Sequence, residues 1–277
     1  MAGNGLWTGG SPPDSDGRLS RMRRLPSCLL ALMILTGCAH SPAPQDPPER
    51  PELAPLLEFA KSPEVELDAT DAPAPPRGFS RPDVLVLANA LVDAAERTET
   101  GGAEPPPSDR DAVDHTFTAL DMRSRRDMTK SSESASRRYE GMSVAWMMAD
   151  QWERGHRPVG PGRIIKAAWR AESENGHLGV GLQFVRAYLD VRGTPMFVER
   201  HITLWNSDPQ RMPGTQTYLD LSARITGIDR CHLVSTGRFR PDRDTKRLRK
   251  AAEHLGEQLS AKGITELTDA DFRRGCD

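Results

Sequence analysis

The chain has few aromatic residues and few cysteines, and no apolar run long enough to stay in a membrane. Aromatic residues make up 5% of its 277 positions, and glycine and proline are frequent, so much of the chain is expected to lack a packed core. The apolar run 28–35 is far shorter than the ~20 residues that span a bilayer. A net charge of -2 argues against bulk nucleic-acid binding, so no nucleic-acid partner is expected. One medium domain with a linker fits this length, as do two small domains.

Motifs that mark common enzyme classes are also missing from the sequence. There is no nucleophile motif, phosphate-binding loop, dinucleotide fingerprint, zinc-protease helix or EF-hand loop, so no cofactor and no metal ion is predicted. His201 shares one side of a predicted strand with Glu199 and Thr203, which is compatible with acid–base chemistry but more typical of an ordinary polar face. His177 and His232 flank predicted strands and are weaker candidates still.

Close to the N-terminus, a basic cluster precedes the apolar run and a cysteine follows it. Arginines stand at positions 21, 23 and 24, and the run 28–35 ends in Leu35-Thr36-Gly37-Cys38. Basic residues, then apolar residues, then small residues are the plan of a secretory signal. Segment 21–40 resembles the type II signal peptide of bacterial lipoproteins, and its last four residues resemble the lipobox.

That resemblance implies a lipid anchor at Cys38. In such lipoproteins the cysteine is diacylated and the peptide before it is removed, so residues 1–37 are expected to be a cleaved signal peptide. Ala39 is not the aspartate that often retains such proteins in the inner membrane, which favours the outer membrane. Residues 1–20 carry acids and chain breakers, and translation is expected to start at Met22. The alternative is an ordinary signal, or a buried helix, with a chance match to the lipobox.

The segment after Cys38 is rich in proline. Ten prolines lie between positions 41 and 77, among acidic residues and alanines. Such a composition favours extended, solvated backbone, because it cannot bury enough apolar surface to offset the entropy of ordering. Residues 38–78 are therefore predicted to be a disordered linker, with at most a helical turn in 53–60, and residues 79–277 a globular domain.

Two cysteines remain in that domain. Cys28 leaves with the signal peptide and Cys38 carries lipid, so Cys231 and Cys276 are left in an oxidising compartment, where a disulfide is the simplest pairing. Closing a loop of about 45 residues contributes roughly 3 to 4 kcal/mol in the chain-entropy model. The alternatives are two free thiols, or a metal pair that includes a histidine.

Helical periodicity dominates the first part of the domain. Ser80 and Pro82 mark the start of an amphipathic helix whose apolar stripe should dock on the later domain. The stretch 111–152 is predicted to be mostly helical, and a short helix is predicted to start at Pro161 and run through Trp169.

Strands and a final helix follow. Residues 178–205 alternate as an antiparallel hairpin, with a phase change that indicates a β-bulge near Phe184. Residues 219–226 are a further strand and 231–235 another, and Asp244 or Thr245 can cap a C-terminal helix. The predicted class is α+β, a small antiparallel sheet with helices packed on one face.

These observations leave two functional hypotheses. The favoured one is a non-catalytic lipoprotein of the cell envelope. Its domain is attached to the lipid anchor by a flexible linker and binds a protein, lipid or cell-wall partner. The other is a hydrolase acting on the envelope, with His and carboxylate groups on the sheet face. Convergence of a histidine with an acid in a concave pocket would favour the enzyme.

Overall fold

A computed structural model describes residues 51–99, 106–138, 144–207, 217–264 and 276. The predicted signal segment, Cys38 and the predicted linker up to residue 50 lie outside these described residues. The helices are α1 (Ala54–Ala60), α2 (Arg81–Arg97), α3 (Asp109–Thr116), α4 (Met122–Arg138), α5 (Ala145–Met148), α6 (Arg230–Thr236) and α7 (Thr245–Ser260). Within the described ranges, no helix is both long and apolar enough to cross a membrane.

Four strands form one antiparallel sheet in the order β1-β2-β3-β4. They are β1 (Arg163–Glu174), β2 (His177–Leu189), β3 (Pro195–Asn206) and β4 (Thr217–Thr226). The predicted hairpin and the strand that follows it are confirmed as β2, β3 and β4. The α+β class with a small antiparallel sheet is confirmed as well, but helices pack on both faces of the sheet and not on one face as predicted.

Side chains on both faces of β2 are buried, because helices cover the sheet on two sides. The first face packs against α2, α3 and α5 and carries Leu178, Val180, Leu182 and Phe184. The second face packs at one end against α1 and α7 and carries Val185 and Ala187. A strand buried on both faces contains apolar residues in succession, and this accounts for the phase change in its sequence.

The bulge predicted near Phe184 in β2 is therefore wrong. β2 runs through its pairing with β3 in unbroken register. The irregularity belongs to β1, where Ile164 pairs with Arg186 and Lys166 with Val185, so that Ile165 is the extra residue.

Two further predictions of local structure are wrong. The helix predicted over 161–169 is instead the first part of β1, where pairing with β2 overrides the helix preference of its alanines. The strand predicted over 231–235 is instead α6. The Asp229 carboxylate caps α6 by accepting from the His232 N–H at 3.0 Å, and Gly237, with φ of 69°, ends it in the left-handed conformation.

The start of the domain also differs from the prediction. Residues 51–60 pack on α7, and the apolar side chains of this contact are Leu53, Leu56, Ala60, Leu248, Ala252 and Leu255. Ala69 and Ala72 are buried too, in contact with the first face. The predicted solvated linker 38–78 is wrong for this part of its length, because a few apolar residues between the prolines find a partner surface that composition does not reveal.

Helices α2 and α7 begin where the sequence signals predict. At the start of α2, the Ser80 N–H donates to the Asp83 carboxylate at 2.6 Å, which completes a capping box. Its apolar stripe docks on the first face, as predicted. Asp244 caps α7 by accepting from the Lys246 and Arg247 N–H groups.

Cys231, in the first turn of α6, lies at disulfide distance from Cys276. The two Cα atoms are 5.1 Å apart, within the range of natural disulfides, and 45 positions separate them in the chain. The pair attaches the end of the chain to the start of α6.

Candidate functional site

A polar cleft of about 400 Å³ lies where the turn 153–156 meets the starts of α6 and α7. We call it the arginine cleft. Its lining residues are His156, Asp229, Arg240, Pro241, Arg243, Asp244 and Arg247.

The loop 237–244 forms the floor of the arginine cleft and is held by backbone hydrogen bonds. The Phe239 N–H donates to the Gln151 carbonyl at 2.6 Å, and the Phe239 carbonyl accepts from the Glu153 N–H at 3.0 Å. The carbonyl of Arg240 accepts from the Asp229 N–H at 2.9 Å. These bonds connect the turn on one side of the loop to the start of α6 on the other.

Phe239 anchors this loop in the core. Its ring is fully buried and makes edge contacts with Trp146, at 6.0 Å between centroids, and with Trp152, at 5.2 Å. Because side chains alternate along an extended segment, an inward Phe239 turns Arg238 and Arg240 outward. Arg240 thus places positive charge at the cleft while the aromatic ring of Phe239 holds the backbone.

Aspartates orient two of the three arginines. Nε and Nη2 of Arg240 donate to Asp229 at 3.1 and 2.8 Å, and the same two atoms of Arg247 donate to the two carboxylate oxygens of Asp242, each at 2.9 Å. The bidentate bond to Asp242 raises the pKa of the Arg247 guanidinium above its ordinary value. Each guanidinium plane is held in place before any ligand arrives.

The two aspartates in the lining stay ionised. Burial raises the pKa of Asp229, but the His232 N–H and the Arg240 guanidinium outweigh burial and hold this pKa below its ordinary value. The pKa of Asp244 is lowered chiefly by the Arg247 N–H that its carboxylate accepts.

Behind the cleft, one carboxylate lies between two imidazoles. Oε2 of Glu153 is 3.2 Å from Nδ1 of His156 and 3.3 Å from Nε2 of His232. The turn brings Glu153 and His156 side by side, because the His156 N–H donates to the Glu153 carbonyl and Gly155 takes φ of 84°, which favours glycine. Burial and the nearby Arg240 lower the pKa of His232.

The structure separates the other histidines singled out in the sequence from this cleft. Nε2 of His201 lies 3.1 Å from the Thr203 hydroxyl on the second face of the sheet, and burial together with Arg170 lowers the His201 pKa to about 4. Glu199 accepts from Gln183 instead. His177 begins β2 opposite Glu174. Of the three histidines, His232 is the one brought against an acid beside a cleft.

Sequence reasoning did not select the residues that line the cleft. One signal could have found them, since positions 229–250 hold eight lysines and arginines against three aspartates in a chain of net charge -2. In the described part of the chain, no group of three or more His, Cys, Asp and Glu side chains has the geometry of a metal site.

A second set of arginine pairs lies inside the protein. Arg200 and Asp150 are fully buried and bonded at 2.9 Å, and Arg200 also donates to the carbonyls of Trp146 and Met147. The hydroxyl of Tyr188 donates to Asp150, and burial raises the pKa of this tyrosine well above its ordinary value.

A neighbouring pair extends this arrangement. Arg186 donates to Glu99 at 2.9 Å, and the Gly162 N–H donates to the same carboxylate at 2.6 Å. Burial raises the pKa of Glu99. We call Glu99, Asp150, Arg186, Tyr188 and Arg200 the core ionic cluster. Its contacts join the segment 144–152, which contains α5, and the end of α2 to the sheet.

Comparison with known proteins finds no counterpart: no family model, no curated protein and no solved structure matches the chain.

Proposed function

We propose that this chain is a lipid-anchored protein of the bacterial outer membrane whose α+β domain binds an envelope partner without catalysing a reaction. The lipobox ending at Cys38 supports the anchor. The binding role is supported by one observation above all, the arginine cleft, in which guanidinium groups are held in fixed orientations at the surface. The partner in this proposal is an envelope protein or a cell-wall component.

The anchor is tested by the Cys38→Ser substitution. We expect the variant to keep its signal segment and to leave the outer-membrane fraction, because the acyl chains supply about 0.8 kcal/mol for each buried methylene. Intact-mass measurement and membrane fractionation give the result. Cys28→Ser is the matched control, since it removes a cysteine from the same segment and should leave anchoring unchanged. Outer-membrane fractionation of Cys38→Ser would contradict the proposal.

The binding role is tested by photo-crosslinking in living cells. A photoreactive amino acid at Arg154, exposed in the turn 153–156 that borders the cleft, should capture a defined envelope component. The same amino acid at Val191, which is 75% exposed in the turn between β2 and β3, should not capture it. Equal capture from both positions would contradict a role for the cleft.

A hydrolase is the second candidate, and the position of Glu153 between His156 and His232 favours it. A carboxylate against an imidazole can hold that imidazole as a general base, and His156 reaches the cleft. The test is turnover of p-nitrophenyl acetate and p-nitrophenyl phosphate. A hydrolase should lose about 100-fold in rate or more in Glu153→Gln and none in Glu96→Gln, on the exposed side of α2. The non-catalytic proposal expects no turnover above buffer in any of these proteins.

A further inference from the structure

We propose that the arginine cleft binds a phosphate group. This inference rests on the proposed function, because it names the chemistry that the binding domain recognises. The lining combines Arg240, Arg243 and Arg247 with His156, and it opens to the surface rather than into the core.

The stretch of chain that supplies most of the cleft lining is rich in basic residues. The eight basic residues among positions 229–250 stand against three aspartates, while the whole chain has a net charge of -2. The acids are already engaged: Asp229 and Asp244 cap helices through backbone N–H groups, and Asp242 binds Arg247. The N–H groups at the start of α7 are therefore used by Asp244, and the arginine side chains carry the attraction for an anion.

The bonds that hold the arginines leave part of each guanidinium facing outward. In the described residues, Arg240 and Arg247 use Nε and Nη2 for their aspartates, so Nη1 of each remains to donate to a ligand. Arg243 is exposed in the loop between them. Because the aspartates fix both guanidinium planes, little side-chain entropy is lost when a ligand binds.

A phosphate group matches this arrangement better than a carboxylate does. A phosphomonoester carries about 1.5 to 2 negative charges at neutral pH and offers three acceptor oxygens. Several guanidinium groups can therefore donate to it at once, whereas a carboxylate is satisfied by one bidentate arginine.

The test uses the full chain and measures binding of inorganic phosphate and glycerol 3-phosphate by calorimetry, with acetate as the carboxylate comparison. Arg243→Gln removes a lining arginine that is exposed in the loop, and we expect it to weaken phosphate binding about tenfold or more. Arg249→Gln is the matched control, because it removes the same charge from an exposed site on α7 outside the lining. It should change the dissociation constant less than about twofold. Thermal unfolding of both variants checks that the fold is kept.

Two sources could carry the phosphate group, and vesicles separate them. Phosphatidylcholine vesicles containing phosphatidic acid are compared with vesicles of equal surface charge containing phosphatidylserine. Preference for phosphatidic acid, lost in Arg243→Gln and kept in Arg249→Gln, identifies a lipid headgroup as the source. Binding of glycerol 3-phosphate as tight as binding to these vesicles identifies a soluble or polymer-borne phosphate group.

Several results would overturn the inference. They are acetate binding as tight as phosphate binding, equal losses in Arg243→Gln and Arg249→Gln, or no binding to phosphate, glycerol 3-phosphate or phosphatidic acid vesicles. If crosslinking from Arg154 still captures an envelope component when phosphate does not bind, the proposed function stands and the phosphate chemistry alone fails. If neither occurs, both fail.

Discussion

The core ionic cluster and the arginine cleft use the same chemistry in opposite surroundings. In the core, Arg200 and Asp150 are both 0% exposed, and the guanidinium donates to that carboxylate and to two backbone carbonyls. In the cleft, the side chains of Arg240 and Arg247 are 40% and 50% exposed although each is bound to a carboxylate. A buried arginine is committed to holding the fold, whereas a half-exposed one is oriented by the protein and still reaches solvent.

This difference predicts that the same substitution lowers the free energy of unfolding far more in the core than in the cleft. Arg200→Gln should lower the free energy of unfolding by about 3 to 5 kcal/mol, because it leaves the Asp150 carboxylate buried without its counter-charge. Arg247→Gln should lower it by only about 1 to 2 kcal/mol, because water can replace the half-exposed guanidinium and the buried Asp242 carboxylate keeps its hydrogen bond from the Asp244 N–H. Urea denaturation of the two variants measures both values. Equal costs would show that the cleft is part of the folding core and not a surface site.

The next prediction concerns the contribution of the cysteine pair, which joins Cys276 to the start of α6, to the stability of the fold. Cys231→Ser and Cys276→Ser should each lower the free energy of unfolding by about 2 to 4 kcal/mol, because the unfolded chain regains the freedom of a 45-residue loop. The double variant should be no worse than either single one, as one bond is lost in all three. Non-reducing mass spectrometry gives the direct answer. Two alkylatable thiols in protein purified without reductant would contradict the pairing.

The smallest expected effect is in the pH dependence of the cleft. Asp229 has a folded pKa below its ordinary 3.8, so its stabilisation is complete above that value and is lost as pH falls through the folded pKa. Asp229→Asn keeps a capping side chain but removes the titration. The variant should therefore show a shallower fall in melting temperature below about pH 3.8 than the wild type does.

A control variant, Glu66→Gln, and the buried Glu99 show how the titration of Asp229 differs from that of other carboxylates. Glu66→Gln alters an exposed carboxylate and should leave the acid limb of the melting curve as in the wild type. In the core ionic cluster the sign is reversed, because burial raises the pKa of Glu99 above its ordinary 4.5. The contribution of Glu99 is most favourable below that value and is lost as pH rises. An unchanged acid limb in Asp229→Asn would contradict the assignment.

Local signals predicted the elements that depend on neighbours in the chain. Ser80 with Pro82 marks the start of α2, and Asp244 marks the start of α7, because these signals need only residues within one turn. The alternation in β4 predicted a strand with one inward face. The pairing of Cys231 with Cys276 followed once the resemblance to lipoproteins had assigned Cys28 to the signal segment and Cys38 to the lipid anchor.

Contacts between distant positions decided the rest. The sequence at the start of β1 favours a helix, but pairing with β2 makes it a strand. Residues 53–60 have the composition of a linker, but they pack against α7. Glu153 lies close to His232 because backbone hydrogen bonds attach the loop 237–244 both to Glu153 and to Asp229 at the start of α6. A cap, a turn or a strand period is written within a few residues, and so the sequence determined these elements and supports the proposed anchor at Cys38. The arginine cleft and the core ionic cluster are built from side chains far apart in the chain, and only tertiary packing brings them together.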